Sequence, residues 1–187
     1  MRLFIYFFLL ILGFWSCQSS TVPSLEEGEK AVLPFYKTHQ GNWHGRLNIY
    51  KKDSLIRELG MTFNMKYLKD SQNYQKYLWQ IQYEGQDLRD YRLLVDTMNK
   101  TYTIDEQNGI VLPAQLNNSN LSNWFTVMGN MLFVNFDFSI MDEVKFTVNM
   151  RSKKPVGFTG QDNETIDSVA CYEVSSYQIG LLSRATQ

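Results

Sequence analysis

Histidine and cysteine are nearly missing: there are two of each in 187 residues. His39 and His44 stand close together, and with Cys17 and Cys171 they make no cluster of structural-zinc spacing. Neither His is placed in a recognisable triad order with a Ser and a carboxylate. Phosphate-binding glycine loops, dinucleotide glycine patterns, nucleophile elbows and His-Glu-x-x-His are all absent. A charge excess is missing too. Eighteen Lys and Arg stand against 19 Asp and Glu, the net charge is −1, and the pI is near 6.1. That balance argues against a nucleic-acid surface. Adjacent carboxylates, Asp105-Glu106 and Asp142-Glu143, fall in expected turns and read as solvated charges rather than an acid–base pair. The chain is therefore read as a non-enzyme with no metal, no cofactor and no nucleic-acid partner.

Long helical periodicity is also absent from the body of the chain. In its place is alternation with a period of two, the mark of half-buried strands. Trp43, Gly45, Leu47 and Ile49 alternate with His44, Arg46, Asn48 and Tyr50. The same pattern runs through Leu59 to Tyr67, Tyr77 to Tyr83, Arg89 to Val95, Thr101 to Ile104, Ile110 to Leu116, Leu121 to Met128, Met131 to Phe138, Val144 to Met150 and Val169 to Leu182. Asn108-Gly109 and Gly129-Asn130 are hairpin signals. Pro113 suggests an edge or a bulge. Short strands joined by short turns predict an antiparallel meander in a sandwich or barrel, and exclude parallel α/β for want of crossover helices.

The N-terminus differs from the rest. After Met1-Arg2, residues Leu3 to Trp15 are apolar apart from Gly13. The run is shorter than the roughly 20 residues needed to span a bilayer, and it has signal-peptide proportions. Ser16-Cys17 follows, with Phe14 and Trp15 where bacterial lipoproteins commonly carry Leu and a small residue. The site resembles the lipoprotein cleavage site of Bacteroidetes-type exported proteins. The expectation is a signal peptide over 1–16, then a tether and short helix over 17–38 with a lipid (palmitate) on Cys17. A globular domain follows over 39–187. Localisation would be the bacterial cell envelope, on the outer membrane through the N-terminal lipid. The alternative is a soluble exported chain with a Cys17–Cys171 bridge, which an oxidising compartment permits. Cys171, in Val169-Ala170-Cys171-Tyr172, reads otherwise as a buried small hydrophobe. Asp53-Ser54-Leu55, Asp96-Thr97-Met98 and Asp167-Ser168-Val169 resemble Bacteroidetes O-glycosylation motifs, and read equally as turn chemistry.

Gly41-Asn42-Trp43 opening the first strand, with Arg184 ending the last, resembles the lipocalin-like (calycin) barrels. The resemblance implies an all-β, antiparallel up-and-down barrel of about eight to ten strands, of lipocalin or fatty-acid-binding type. It implies that Trp43 plugs the floor and that Arg184 stacks on it, with Gly41 at the bend. Nitrobindin-like members carry haem on a late His, which this chain lacks. One strand phase is rich in aromatic and Met residues, and inside a barrel these either fill the interior or line a pocket. The candidate lining is Met61, Phe63, Trp79, Ile81, Tyr83, Arg89, Tyr91, Leu93, Tyr102, Phe125 and Phe136. An inward Arg89 would suit a carboxylate head group, as in fatty-acid-binding barrels. The expected function is binding or carriage of a small apolar ligand by a monomer. The alternative is a structural or protein-interaction module with a filled barrel.

Overall fold

The computed structural model describes residues 34–70, 74–160 and 167–185. The expected signal peptide, Cys17 and most of the tether lie outside the described residues. The described residues belong to one compact unit, Leu33–Gln187, which holds the fold.

A single helical turn, α1 (Phe35–Thr38), leads into β1 (Gly41–Lys51). The helix is too short to be stable alone, and it is held by burying Phe35 and Tyr36. The meander continues through β2 (Ser54–Asp70), β3 (Gln75–Tyr83), β4 (Arg89–Asp96), β5 (Thr101–Asp105), β6 (Val111–Asn117), β7 (Asn120–Val127), β8 (Asn130–Asp137) and β9 (Glu143–Ser152). Two short strands follow, β10 (Gly157–Thr159) and β11 (Val169–Cys171), and β12 (Val174–Arg184) returns to pair with both β9 and β1. β1 to β9 and β12 make a closed ten-strand antiparallel barrel. β10 and β11 form a separate two-stranded ribbon.

Strand direction gives the barrel two ends. One carries α1, the start of β1 and the end of β12, and it is packed with rings. Phe35 stacks on Phe138 at 4.5 Å, and Phe136 lies 5.2 Å from Phe63 and 4.9 Å from Trp79. Trp43, Phe63, Trp79 and Leu182 are fully buried there and just above. The β1–β12 seam is tight: a Cβ on Gly45 would stand 1.9 Å from the Leu181 carbonyl oxygen, so only glycine fits.

Four local expectations are corrected. Val169 to Leu182 is not one strand, because Tyr172 and Glu173 separate the ribbon strand β11 from β12. Cys171 consequently sits half-exposed in the ribbon, a free thiol outside the core. At the β7–β8 hairpin the two turn residues are Met128 and Gly129, both with positive φ (48° and 78°), and Asn130 already pairs with Val127. At the β5–β6 turn the positive angles fall on Gln107 and Gly109 rather than on Asn108, whose Oδ1 instead accepts the Ile110 N–H.

β6 and β7 pair only at Gln115–Ser122, Leu116–Leu121 and Asn117–Asn120. Above that ladder, residues 111–114 of β6 and 123–127 of β7 are unpaired with each other, and the wall is parted. Pro113 lies on this free edge of β6, where its missing N–H costs no cross-seam bond.

Candidate ligand cavity

The floor is built by side chains from both termini of the domain. The Arg184 guanidinium lies 4.3 Å from the centre of the Trp43 ring. Its Nη1 donates to the Gln40 carbonyl at 2.7 Å, and its Nη2 to those of Thr38 and Met141 at 3.3 and 3.4 Å. Its Nε meets Asp142 at 3.1 Å. Gly41 enters β1 with φ 139°, and a Cβ there would stand 3.0 Å from Arg184 Nη1. The Trp43 indole donates to the His39 carbonyl at 3.2 Å. Among the described residues His39 is the one buried polar residue, stacked on Trp43 at 5.8 Å. Its Nε2 stands 3.1 Å from the Ile140 carbonyl, which can only accept, so the proton is on Nε2 and Nδ1 faces the Thr38 hydroxyl. His44 points to solvent.

Above the floor is a cavity of about 310 Å³. It falls at the small end of ligand pockets, and at liquid density it would hold about ten waters. Trp79, Ile81, Tyr83, Arg89, Tyr91, Phe125 and Phe136 line it. The other sequence candidates do not. Met61, Phe63 and Leu93 are fully buried in packed regions, Phe63 edge-on to Trp79 at 4.7 Å. Tyr102 joins the floor, 6.4 Å from both Phe35 and Tyr36. Leu132, Val134 and Val148 complete the apolar wall, in phase with Phe136 and Phe146, so alternation alone could have found them. Gln86 and Glu106 also line the cavity, from turns, where periodicity carries no signal.

Polar groups gather at the mouth: Gln86, Arg89, Glu106, Asn123 and Gln178. Arg89 is the first residue of β4 and is exposed, but its guanidinium leans over the Tyr83 ring at 4.8 Å. Burial pushes the Tyr83 phenol up, against a smaller opposing pull from Arg89. Burial, with help from Glu106, does the same for Tyr91. Both therefore remain neutral hydroxyls at ordinary pH, able to donate into the cavity. A wider hollow of about 660 Å³ around Arg184 lies outside the barrel, and the guanidinium facing it is already bonded. Among the described residues no group of His, Cys, Asp and Glu could hold a metal, and no helix is long and apolar enough to cross a membrane.

No protein-family profile matches the chain, and no curated protein matches it. Solved structures do. An S-type phycobiliprotein lyase, CPES from Guillardia theta, superposes with a TM-score of 0.52 at 6% identity, over 82% of this chain and 92% of that one. A structure of EF1p2_mFAP2b bound to DFHBI matches over 80% of this chain and 95% of that one at 10% identity, with a TM-score of 0.35. The fold is thus a lipocalin-like barrel.

Proposed function

We propose that this protein binds and carries a small, mainly apolar ligand with one polar or anionic end. The observation that supports this best is the cavity itself. It has an apolar wall, a floor sealed by stacked rings, and Arg89, Tyr83 and Tyr91 at its open end. An apolar tail would lie between Trp79, Leu132 and Val134, and its head would meet the Arg89 guanidinium. The role is binding rather than turnover. We place the protein in the bacterial cell envelope as a monomer held by a lipid on Cys17, a reading supported by the apolar run and the Ser16-Cys17 site.

Native mass spectrometry of protein purified from its own host tests the carrier reading. A reproducible extra mass released by denaturation identifies the cargo. A bare protein mass that persists after incubation with lipid mixtures would overturn it. Mass measurement of the intact N-terminus tests lipidation: a diacyl or triacyl increment on Cys17 is expected, and an unmodified cysteine would exclude it.

A further inference from the structure

The parted seam between β6 and β7 has apolar lips. Trp124 points outward from the half of β7 that pairs with β8 but not with β6 and is 58% exposed, while its neighbour Phe125 lines the cavity. Val111, on the opposite lip, is also exposed. The adjoining hairpin ends in Val127 and Met128, and Met128 is 94% exposed. Met128 holds a left-handed backbone, φ 48°, in a turn that Asn or Gly would make without strain. Lys52, Lys100, Gln107 and Asn118 hold the same backbone in other turns, so what marks this tip is the exposed apolar side chain of Met128 next to Val127 and Trp124, not the angle.

Cations frame these lips. The Arg151 guanidinium stands 5.7 Å from the Trp124 ring and 4.5 Å from Tyr172. Its Nε is buried without a partner, and among the described residues no carboxylate pairs with it. The Lys153 N–H donates to the Gly129 carbonyl, which sets Lys153 and Lys154 beside the hairpin tip. Glu173 pairs with Lys52, and Asp105 and Glu106 lie on the Val111 side of the seam, away from Arg151.

We propose that this edge of the barrel docks on a lipid bilayer containing anionic phospholipid. Trp124 and Met128 enter the interfacial layer, and Arg151, Lys153 and Lys154 meet headgroup phosphates. Apolar tips beside basic residues are the chemistry of interfacial binding. The alternatives fit less well. A second copy on the same face would set the three cations against their equivalents. A strand added along β6 would meet Pro113, which has no N–H to give. Docking there puts the open seam, and Leu112 and Phe125 within it, against the source of an apolar ligand. That last step rests on the carrier reading; the docking does not.

The barrel unit Leu33–Gln187 has its own closed sheet and core, so it serves as the test protein. It is mixed with phosphatidylcholine vesicles with and without phosphatidylglycerol. Expected are co-sedimentation that requires phosphatidylglycerol and weakens with salt, and quenching of tryptophan emission by brominated acyl chains. Trp43 and Trp79 are buried, so the quenched ring is Trp124, and Trp124→Phe should remove the signal. Each of Lys153→Gln and Lys154→Gln should weaken partitioning about fivefold. Met128→Asn should raise the melting temperature by relieving the turn, yet reduce partitioning, an outcome that misfolding cannot mimic. Absence of vesicle binding, or binding indifferent to all these changes, overturns the proposal. So does sedimentation showing a dimer that Met128→Asn dissolves. A fluorescent fatty-acid probe without vesicles separates the two readings: probe binding alone leaves the carrier and removes the docking, and vesicle binding alone does the reverse.

Discussion

Arg184 lies face-on to Trp43, 4.3 Å from the ring centre, and the two residues are also cross-strand partners between the last and first strands of the barrel. The same guanidinium reaches carbonyls of Thr38, Gln40 and Met141, so one side chain joins α1, β1, the β8–β9 connection and β12. The Arg184→Ala variant should lose about 2–3 kcal/mol in urea unfolding, from the ring contact and the charged hydrogen bonds. Asp142 is largely exposed, so Asp142→Asn should cost under about 1 kcal/mol. Equal effects from the two variants would mean that the ion pair, not the stacking and carbonyl bonds, matters most.

Gly45 stands where β1 and β12 leave no room for a Cβ. The methyl of Gly45→Ala would strike the Leu181 carbonyl, which is backbone and cannot rotate away. A loss of about 2 kcal/mol or more is expected in thermal or urea unfolding. Unchanged stability would show that β1 and β12 can slide apart freely.

Filling the cavity should abolish binding without breaking the barrel. Val134 lines open space, so Val134→Phe adds volume where room exists. Its melting temperature should stay near the parent value while affinity for a fluorescent fatty-acid probe falls at least about tenfold. The Arg89→Gln change should weaken carboxylate ligands by about tenfold and leave a matching alcohol nearly unaffected. Equal losses for both would remove Arg89 from the head-group role.

Alkaline pH should unfold the barrel. Burial, then the neighbouring Tyr36 and Tyr67, pushes the Tyr77 phenol far above its ordinary value, and burial raises Tyr83 as well. A folded state that holds these protons more tightly than the unfolded chain keeps that stability below about pH 10, the unfolded tyrosine value, and loses it as pH rises further. Ultraviolet titration should show exposed tyrosines ionising first and the buried ones only with loss of near-UV circular dichroism. Smooth ionisation of every tyrosine in the folded protein would contradict this.

Strand existence and facing were legible because they are local. A period of two places Trp79, Ile81 and Tyr83 on the inner face whatever the strand's neighbours are. Gly41, Trp43 and Arg184, far apart in the chain, could be paired only through resemblance to barrels that close in this way. Height along the barrel was not legible. Phe63 and Phe136 share the inward phase, but one is packed near the floor and the other faces the cavity, because strand tilt and register set how high each residue stands. The floor position of His39 was not legible for a similar reason: its partners Trp43 and Ile140 meet only when α1 caps the end.

By itself, the sequence determined the all-β class, the inward face of most strands and the two residues that join first strand to last, because alternation and end motifs act through near neighbours or through a recognisable pattern. Only the tertiary structure decided where the barrel is filled and where it is hollow, that β6 and β7 part above Gln115–Ser122, and that Arg151 stands by Trp124 and Lys153 by the Met128–Gly129 turn. Those features arise from closing the sheet on itself, which sets distances between residues that no local pattern connects.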